Sequence, residues 1–249
     1  VNLKAISGQD KIEARGNALT IGALATLDSI SRHAEVRTKY AVLAEAAGQV
    51  ATPQIRNAGT IAGNVLQRPW CWYYRNNFPC YKNGGNTCFS ITGENDFHAI
   101  FGGGPSFIVH PSDTAPALVA LGARFKLQGA SGSREVAAAD FFQLPTVNPA
   151  KENVLATGEV LSEITIPAPI AGTRSTYLKV LDRDAWTHAV VAVAAVLQMD
   201  GGTCKSARVV LGGVAPIPWR VQAVEQMLAG QRITDRKSTR LNSSHITIS

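Results

Sequence analysis

The sequence predicts an α+β protein with two domains. Its 249 residues are 45% hydrophobic and 17% charged, which is ordinary for a globular protein and allows one large or two small domains. Strand-like and helix-like stretches both recur along the chain. Two prolines within three residues, Pro167 and Pro169, mark the expected domain boundary, because such a pair neither continues a strand ladder nor starts a helix interior.

The first elements lead to a glycine-containing stretch. Residues 19–23 predict a strand that closes in a turn, and Asp28 or Ser29 is expected to cap a short helix. Residues 40–50 are rich in alanine and carry apolar residues at helical spacing, so they predict a second helix. That helix is expected to end at Pro53, since the residue before a proline disfavours the helical backbone.

Residues 52–64, TPQIRNAGTIAGN, predict a loop that binds phosphate. Gly59 and Gly63 let the backbone approach a ligand, glycine can take positive φ, and successive N–H groups in such a turn form a concave anion site. Thr60 adds a hydroxyl donor and Asn64 adds an amide. The stretch matches neither GxGxxG nor GxxxxGK[ST], so a glycine-containing turn between two strands is the alternative interpretation.

This stretch and three later ones resemble the FAD-binding subunit of the molybdenum hydroxylases, the xanthine dehydrogenase family. The later stretches follow in the family's order: HPSDTAPAL at 110–118, GEVL and ITIP within 158–167, and YLK at 177–179 running on to AVVAVA at 189–194. The resemblance covers roughly residues 1–230.

The resemblance implies a partial FAD-binding domain of the PCMH type, vanillyl-alcohol-oxidase-like, over residues 1–167. A cysteine-containing insertion at 66–106 interrupts it, and a small α+β domain of the CO-dehydrogenase-flavoprotein C-terminal type follows at 170–234. The family's first pyrophosphate loop, a Gly-Gly-Thr stretch, is expected upstream of Val1. Residues 235–245 match the translation of a common sequencing-library adapter, so 235–249 are expected to be read-through.

The elements after the insertion are short. Residues 107–109 predict a strand, 114–121 a helix, 124–128 with 135–136 a hairpin, and 138–142 another helix. Beyond the prolines, strand-like or mixed apolar runs are expected at 175–181, 189–198 and 207–212, followed by a helix at 221–228.

Three cysteines, Cys71, Cys80 and Cys88, lie in one aromatic loop with the spacing C-x8-C-x7-C, and Cys204 is distant. Three clustered thiols leave an odd one after any disulfide, which favours a metal or cluster site. The spacing lacks a C-x2-C pair. From the residues alone, a metal centre and simple buried thiols are about equally supported.

The resemblance favours a [4Fe-4S] cluster. The insertion is similar to that of the periplasmic aldehyde oxidoreductase and 4-hydroxybenzoyl-CoA reductase branches, whose flavin subunit holds this cluster on four cysteines. Cys71, Cys80 and Cys88 match three of them, and the fourth position is Ser106. The substitutes considered for the fourth ligand are His98, His110 and Cys204. A zinc site is the less favoured interpretation.

The same resemblance assigns the FAD contacts. It places the pyrophosphate on the backbone of Thr60, Ile61, Ala62, Gly63 and Asn64, the ribityl or ribose hydroxyls on Ser112 and Asp113, and the flavin ring near Leu161 and Lys179. Each assignment has a structural alternative: a helix cap for the Ser-Asp pair, a core position for the leucine and a solvated edge charge for the lysine. No Ser/His/Asp or paired-carboxylate arrangement is apparent, so no catalytic residue is predicted.

The function implied is electron transfer. In the family, a molybdenum-cofactor large subunit oxidises an aldehyde or N-heterocycle, a small subunit with two [2Fe-2S] clusters carries single electrons, and FAD passes them to an acceptor. A stand-alone FAD-dependent oxidase and a non-enzymatic, metal-stabilised interaction module are the alternatives. Substrate and electron acceptor are not specified by the sequence, and cytoplasm and periplasm both stay open.

Two partner classes are not expected. The formal charge is +6, but part of it lies in 235–249 and no basic run with interleaved aromatics occurs elsewhere, which disfavours nucleic acid. No stretch approaches the roughly eighteen consecutive apolar residues of a membrane span.

Overall fold

The computed structural model of the protein describes residues 3–183 and 187–233. The predicted adapter-derived stretch 235–249 lies outside these residues. In the part of the chain that is described, no helix is both long and apolar enough to cross a bilayer.

The first sheet is antiparallel throughout, with the strand order β1-β2-β5-β3-β4. Its strands are β1 (Ile12–Arg15), β2 (Ala18–Gly22), β3 (Arg124–Gly129), β4 (Gly132–Ala137) and β5 (Val160–Pro167). Two predictions, the strand at 19–23 and the hairpin, correspond to β2 and to β3 with β4. The edge strand β1 and the central strand β5 were not assigned from the sequence.

Five short helices pack beside this sheet: α1 (Leu27–Arg32), α2 (Ala34–Lys39), α3 (Ala41–Gly48), α7 (Thr114–Leu121) and α8 (Ala138–Phe141). Helices α7 and α8 contact its strands, whereas α1 and α2 pack on α3, and α3 packs on α7. Every residue of α7 is buried, so this helix lies at the centre of the core. The N-cap of α1 is Thr26, whose hydroxyl accepts from the Ser29 amide at 3.1 Å, and not Asp28 or Ser29 as predicted. Thr26 is the N-cap because it directly precedes the first helical residue, and from this position a side-chain oxygen reaches the free amides of the first turn.

The predicted phosphate loop consists of two short helices, α4 (Pro53–Ala58) and α5 (Ile61–Val65). Each has a threonine N-cap, Thr52 or Thr60, and Pro53 occupies the first turn of α4, where its missing N–H costs nothing. Gly59 joins them with φ of −72°, so this connection does not use the positive φ that glycine allows. The glycine is needed for space instead: a Cβ there would lie 2.9 Å from the Ile55 carbonyl oxygen.

The insertion contains little regular structure, namely α6 (Trp72–Arg75) and two 3-10 turns. Packing between aromatic side chains stabilises it. The rings of Tyr73, Phe78 and Phe89 pack on one another at centroid distances of 5.1 to 6.0 Å. The strand predicted at 107–109 reduces to one bridge between Val109 and Trp70, because no further residue of this segment finds a ladder partner within the described chain.

The second sheet is an antiparallel meander in the order β6-β7-β8-β9. Its strands are β6 (Thr173–Val180), β7 (Val191–Asp200), β8 (Thr203–Gly212) and β9 (Trp219–Arg220), and α9 (Gln222–Leu228) follows. The three apolar runs predicted beyond the prolines correspond to β6, β7 and the second half of β8.

Helix α7 lies between the two sheets, since it packs on β5 of the first and on β7 and β8 of the second, and α3 packs on both α7 and β6. The Glu45 carboxylate of α3 accepts from the Tyr177 amide at 2.6 Å and from the Thr176 hydroxyl at 3.0 Å. On β8, a Cβ at Gly212 would lie 2.9 Å from Pro116 Cγ of α7. The second sheet is therefore fixed directly on the helices that lead into and out of the predicted FAD residues.

Candidate functional site

Asn64 joins two of the segments that the sequence singled out. Its Oδ1 accepts hydrogen bonds from the hydroxyls of Ser112 and Thr114, both at 2.6 Å. The Ser112 hydroxyl also accepts from the Ala115 amide at 3.0 Å and so caps the first turn of α7. All three polar side chains are buried. Because the buried Asn64 side-chain oxygen accepts from both hydroxyls, it fixes the end of α5 against the start of α7.

The backbone amides of the predicted phosphate loop already have partners within the protein. The Thr60 hydroxyl accepts from the Gly63 amide at 3.2 Å. The amides of Ile61, Ala62 and Asn64 donate to the carbonyls of Ala25, Ala23 and Thr60, respectively. The concave set of free N–H groups expected from the sequence is therefore already occupied. The Thr60 hydroxyl proton and the Asn64 side-chain amide are the donors that these two residues can still offer.

Asp113, the N-cap residue of α7, forms a buried ion pair with Lys179 of β6. Its Oδ2 accepts from Lys179 Nζ at 2.8 Å, and its Oδ1 accepts from the Tyr177 hydroxyl at 2.7 Å. Lys179 Nζ also donates to the Gln49 carbonyl at 3.2 Å, and its side chain is 1% exposed. Lys179 is thus neither the solvated edge charge of the alternative interpretation nor an unpaired cation that could face a flavin.

Burial dominates the protonation chemistry of this pair. It raises the pKa of the Asp113 carboxyl, and Lys179 and Tyr177 oppose that shift by favouring the carboxylate. Burial and the neighbouring Asp113 carboxylate both raise the pKa of the Tyr177 hydroxyl, which therefore stays a proton donor. The arrangement holds a carboxylate with a fixed charge partner at the junction of the two sheets.

Two cavities open beside Asp113. The larger, about 600 Å³, is lined by Ser112, Asp113, Tyr177 and His98 among others. The smaller, about 460 Å³, is lined by the α4–α5 residues Thr60, Gly63 and Asn64 together with Asp113. We call them the first and the second cavity. The two hydroxyl-bearing segments that the sequence predicted for FAD therefore face adjoining spaces.

A shared wall divides the two cavities. It contains Trp70, Pro111, Asp113, Arg183, Thr187 and His188. The rings of Trp70 and His188 lie 4.5 Å apart between their centroids. Burial lowers the pKa of the His188 imidazole. One aromatic pair and one carboxylate thus separate the α4–α5 side of the site from the side that faces β7 and β8.

Four predicted residues do not line either cavity. Leu161 is 2% exposed in β5 and belongs to the core, and Lys179 lies behind Asp113. Ile61 and Ala62 are both buried in the hydrophobic core. Thr60, Gly63, Asn64, Ser112 and Asp113 are the predicted residues that do line a cavity.

The insertion gathers three buried, free thiols, those of Cys71, Cys80 and Cys88, which rules out disulfides among them in this structure. The Phe107 amide donates to Cys88 Sγ at 3.5 Å. Burial raises the pKa of the Cys71 thiol, two backbone amides that donate to its sulfur oppose this, and the charges of the other two thiols raise it further. Amide donors to sulfur are the environment that favours a thiolate ligand.

The candidates for a fourth ligand differ in position. Ser106 is 3% exposed and directly precedes Phe107, whose amide contacts Cys88. His98 Nε2 lies 3.3 Å from Cys71 Sγ. His110 packs on Phe142 and accepts from the Ser112 amide, and burial lowers its pKa to about 4. Cys204 donates to the Ser206 carbonyl on β8.

The thiols do not surround one point. Within residues 3–183 and 187–233, no three His, Cys, Asp or Glu side chains converge on a position that could hold a single metal ion. This disfavours the tetrahedral zinc site. A polynuclear cluster spreads its irons over several positions and does not require such convergence.

Two family profiles match the chain. The FAD binding domain in molybdopterin dehydrogenase matches residues 1–169, and the CO dehydrogenase flavoprotein C-terminal domain matches residues 176–241. The chain belongs to the FAD-binding subunits of the molybdopterin dehydrogenases. The predicted fold class is confirmed, with a FAD-binding domain followed by a CO dehydrogenase flavoprotein C-terminal domain.

Several relatives support this membership. The aldehyde oxidoreductase FAD-binding subunit PaoB of Escherichia coli is 40% identical over 227 residues, 89% of this chain and 70% of PaoB. The carbon monoxide dehydrogenase medium chain of Afipia carboxidovorans is 29% identical over 231 residues, 92% of this chain and 64% of the relative. The solved CO dehydrogenase from Oligotropha carboxidovorans matches with a TM-score of 0.70 at 27% identity, over 94% of this chain and 66% of that one. The chain thus spans about two thirds of the length of these relatives.

The site of this flavoprotein fits FAD. The adjoining cavities offer the Thr60 hydroxyl and the Asn64 amide as donors on one side and the Asp113 carboxylate as an acceptor in the shared wall. The three buried thiols with amide donors likewise fit an iron–sulfur cluster, although Ser106 supplies an oxygen where a fourth thiolate is expected.

The sequence interpretation did not single out Tyr177 or Trp70 as site residues. Tyr177 stands two positions before Lys179 on β6, and alternate residues of a strand share a face, so this spacing could have identified it as a second partner of Asp113. Trp70 follows the phosphate-loop segment in sequence but carries no pattern that distinguishes it from the other aromatic residues of the insertion.

Proposed function

We propose that this chain is the FAD-binding electron-transfer subunit of a heteromeric molybdenum-dependent hydroxylase that oxidises an aldehyde or an N-heterocycle. The observation that carries the proposal is the hydrogen-bonded junction of Asn64 with Ser112, beside Asp113, at the wall of two adjoining cavities. Family membership supplies the cofactor, and the similarity to PaoB and to carbon monoxide dehydrogenase medium chains supports a subunit role.

We assign the FAD pyrophosphate to the second cavity. Thr60 and Asn64 reach it with a hydroxyl and an amide, and Gly63 lets the ligand approach the backbone. Ile61 and Ala62 hold this segment in place by donating their amides to the β2–α1 connection. The loop binds through side chains more than through a nest of free amides.

We assign the ribityl or ribose hydroxyls and the flavin ring to the wall formed by Ser112 and Asp113. Asp113 accepts hydroxyl donors, and Lys179 favours its carboxylate form against the effect of burial, which raises the pKa of this carboxyl. Leu161 supports the ring site from the core of the first sheet.

FAD, when bound, supplies a ring that can take part in one-electron and two-electron steps. The protein's own residues orient and shield that ring. Trp70 and His188 close the space between the cavities and exclude water from the shared wall. Asp113, with its proton-donating partner Tyr177, fixes a negative charge there. No residue of this chain is assigned to substrate activation, which belongs to a partner.

We further propose that Cys71, Cys80 and Cys88 hold a [4Fe-4S] cluster, with Ser106 as the fourth ligand. The buried position of Ser106 beside the amide that contacts Cys88 supports this choice over His110 and Cys204. The partners are a molybdenum-cofactor large subunit and a [2Fe-2S] small subunit. This proposal is compatible with an enzyme in either compartment, the cytoplasm or the periplasm.

Asn64→Asp tests the FAD assignment. The aspartate keeps an oxygen that accepts from Ser112 and Thr114, but it removes the amide donor and adds a negative charge near the pyrophosphate. We expect FAD affinity to fall at least about tenfold, the loss of one charge-sensitive hydrogen bond. Flavin fluorescence titration measures it.

The matched control is Asn17→Asp, which makes the same chemical change at an exposed turn between β1 and β2. Equal FAD affinity of N64D and the unaltered chain contradicts the pyrophosphate assignment. Anaerobic absorption spectra with iron and acid-labile sulfide assays complete the test. A spectrum that shows flavin without iron contradicts the cluster assignment only, whereas a folded chain with neither chromophore contradicts the whole proposal. Substrate turnover by the chain alone indicates a stand-alone oxidase instead.

A further inference from the structure

His98 contacts the cysteine site directly. Its Nε2 lies 3.3 Å from Cys71 Sγ, and the residue is 7% exposed. The Trp72 ring packs against the imidazole at a centroid distance of 4.9 Å with an interplanar angle of 79°. The contact with Cys71 and the aromatic packing together orient the imidazole.

The same imidazole belongs to the wall of the first cavity, which it shares with Ser112 and Asp113. His98 thus has the Cys71 sulfur on one side and the proposed flavin space on the other. Ala99, its neighbour, donates its amide to the Phe107 carbonyl, and the Phe107 amide donates to Cys88 Sγ. The segment that carries His98 is held by the cysteine loop at two places.

We propose that His98 is a positioning residue that couples the Cys71 thiol to the ligand of the first cavity. This inference rests on the proposed function, since FAD is the ligand used to detect it. When Cys71 loses its contact, the ring loses the bond that orients it, and the cavity wall changes with it. The coupling is a property of the protein and needs no metal on the thiols.

The test is a FAD titration of the full 249-residue chain freed of metal by a chelator, followed by flavin fluorescence. We expect His98→Phe to weaken FAD binding about fivefold, as for one lost hydrogen bond. His98→Gln keeps an N–H group on a side chain of similar reach and is expected to restore most of the affinity. Trp72→Phe changes the packing beside the ring without removing the contact and is expected to leave affinity unchanged.

The decisive comparison is Cys71→Ala with Cys204→Ala. Each removes one buried, free thiol, but the Cys204 thiol donates to the Ser206 carbonyl on β8 and has no hydrogen bond to His98 among the described residues. We expect C71A to weaken FAD binding as H98F does, C204A to leave it unchanged, and the C71A/H98F double variant to match either single one.

Equal effects of C71A and C204A, or additive effects of C71A and H98F, overturn the inference. Thermal melting identifies any variant that fails to fold, and for such a position the serine variant replaces the alanine one. If the folded, unaltered chain binds no FAD, the proposed function fails before any variant is compared. The two failures are therefore distinguishable.

Discussion

At the scale of single residues, the most constrained side chain is Asp113. Its two oxygens are bound by Lys179 and Tyr177, and the lysine side chain is almost fully removed from water. A buried ion pair contributes little net stability when intact, but removing one partner leaves an uncompensated charge. The main effect of the pair is therefore to fix the position of Asp113 relative to β6. A large loss of stability is expected only when one of the two partners is removed.

Asp113→Asn should lower the free energy of unfolding by about 3–5 kcal/mol, because the Lys179 ammonium stays buried with the Gln49 carbonyl as its remaining acceptor. Urea denaturation measures this loss. Adding Lys179→Met removes the orphaned charge, so the double variant should be more stable than D113N alone. A double variant that is less stable than D113N would show that the lysine does not depend on this carboxylate.

The sequence could place Asn64, Ser112 and Asp113 at one site, because the family's motifs carry them. It could not show that the backbone amides of Ile61 and Ala62 are already bonded, since their acceptors Ala25 and Ala23 lie far earlier in the chain. Nor could it show that Lys179 is neutralised. Hydrogen-bond partners of this kind are set by tertiary packing, which no local pattern encodes.

At the scale of elements, α4 and α5 depend on the glycine between them. A Cβ at Gly59 would lie 2.9 Å from the Ile55 carbonyl oxygen and 3.4 Å from Leu27 Cδ1. The backbone oxygen cannot move without opening the last turn of α4. Thr60, which caps α5 and lines the second cavity, follows immediately.

Gly59→Ala is expected to lower the free energy of unfolding by about 1–3 kcal/mol through this overpacking. Gly48→Ala is the control, because it ends α3, where the nearest atom to a new Cβ is Ser31 Cβ at an ordinary 3.7 Å. Alanine should stabilise that helix by about 0.5–1 kcal/mol. Thermal unfolding of both variants separates the effects, and G59A with unchanged stability would contradict the close approach.

The strand β5 shows why some elements were not predicted from the sequence. Its inward residues Leu161, Ile164 and Ile166 break the alternation of a strand, because the register with β3 shifts between Lys126 and Leu127. One extra residue in a strand moves every later side chain to the other face. The edge strand β1 has no fully buried residue and so lacks an apolar pattern. The helix at 40–50 and the apolar run at 189–198 have regular patterns of apolar residues, and both were predicted.

At the scale of the whole molecule, the two sheets share the helices α3 and α7. Glu45 holds the β6 backbone through the Tyr177 amide and the Thr176 hydroxyl. The domain boundary expected at the prolines falls between β5 and β6, and it stays a prediction. The contacts across it indicate that the two parts unfold together.

Glu45→Ala should lower the free energy of unfolding by about 1–2 kcal/mol, because the Tyr177 amide loses its acceptor. Glu45→Gln keeps one acceptor oxygen and should lose less. Urea unfolding followed by circular dichroism and by tryptophan fluorescence should give coincident transitions in all three proteins. Separate transitions in the unaltered chain would show that the sheets are independent.

Asp113 stands in the walls of both cavities while the second sheet holds both of its oxygens. A ligand that donates to this carboxylate therefore competes or cooperates with the bonds that anchor β6. Occupancy of the site and attachment of the second sheet form one linked equilibrium, and each must alter the other by the same free energy. The proposed flavin site thereby also reports on the docking of the C-terminal domain.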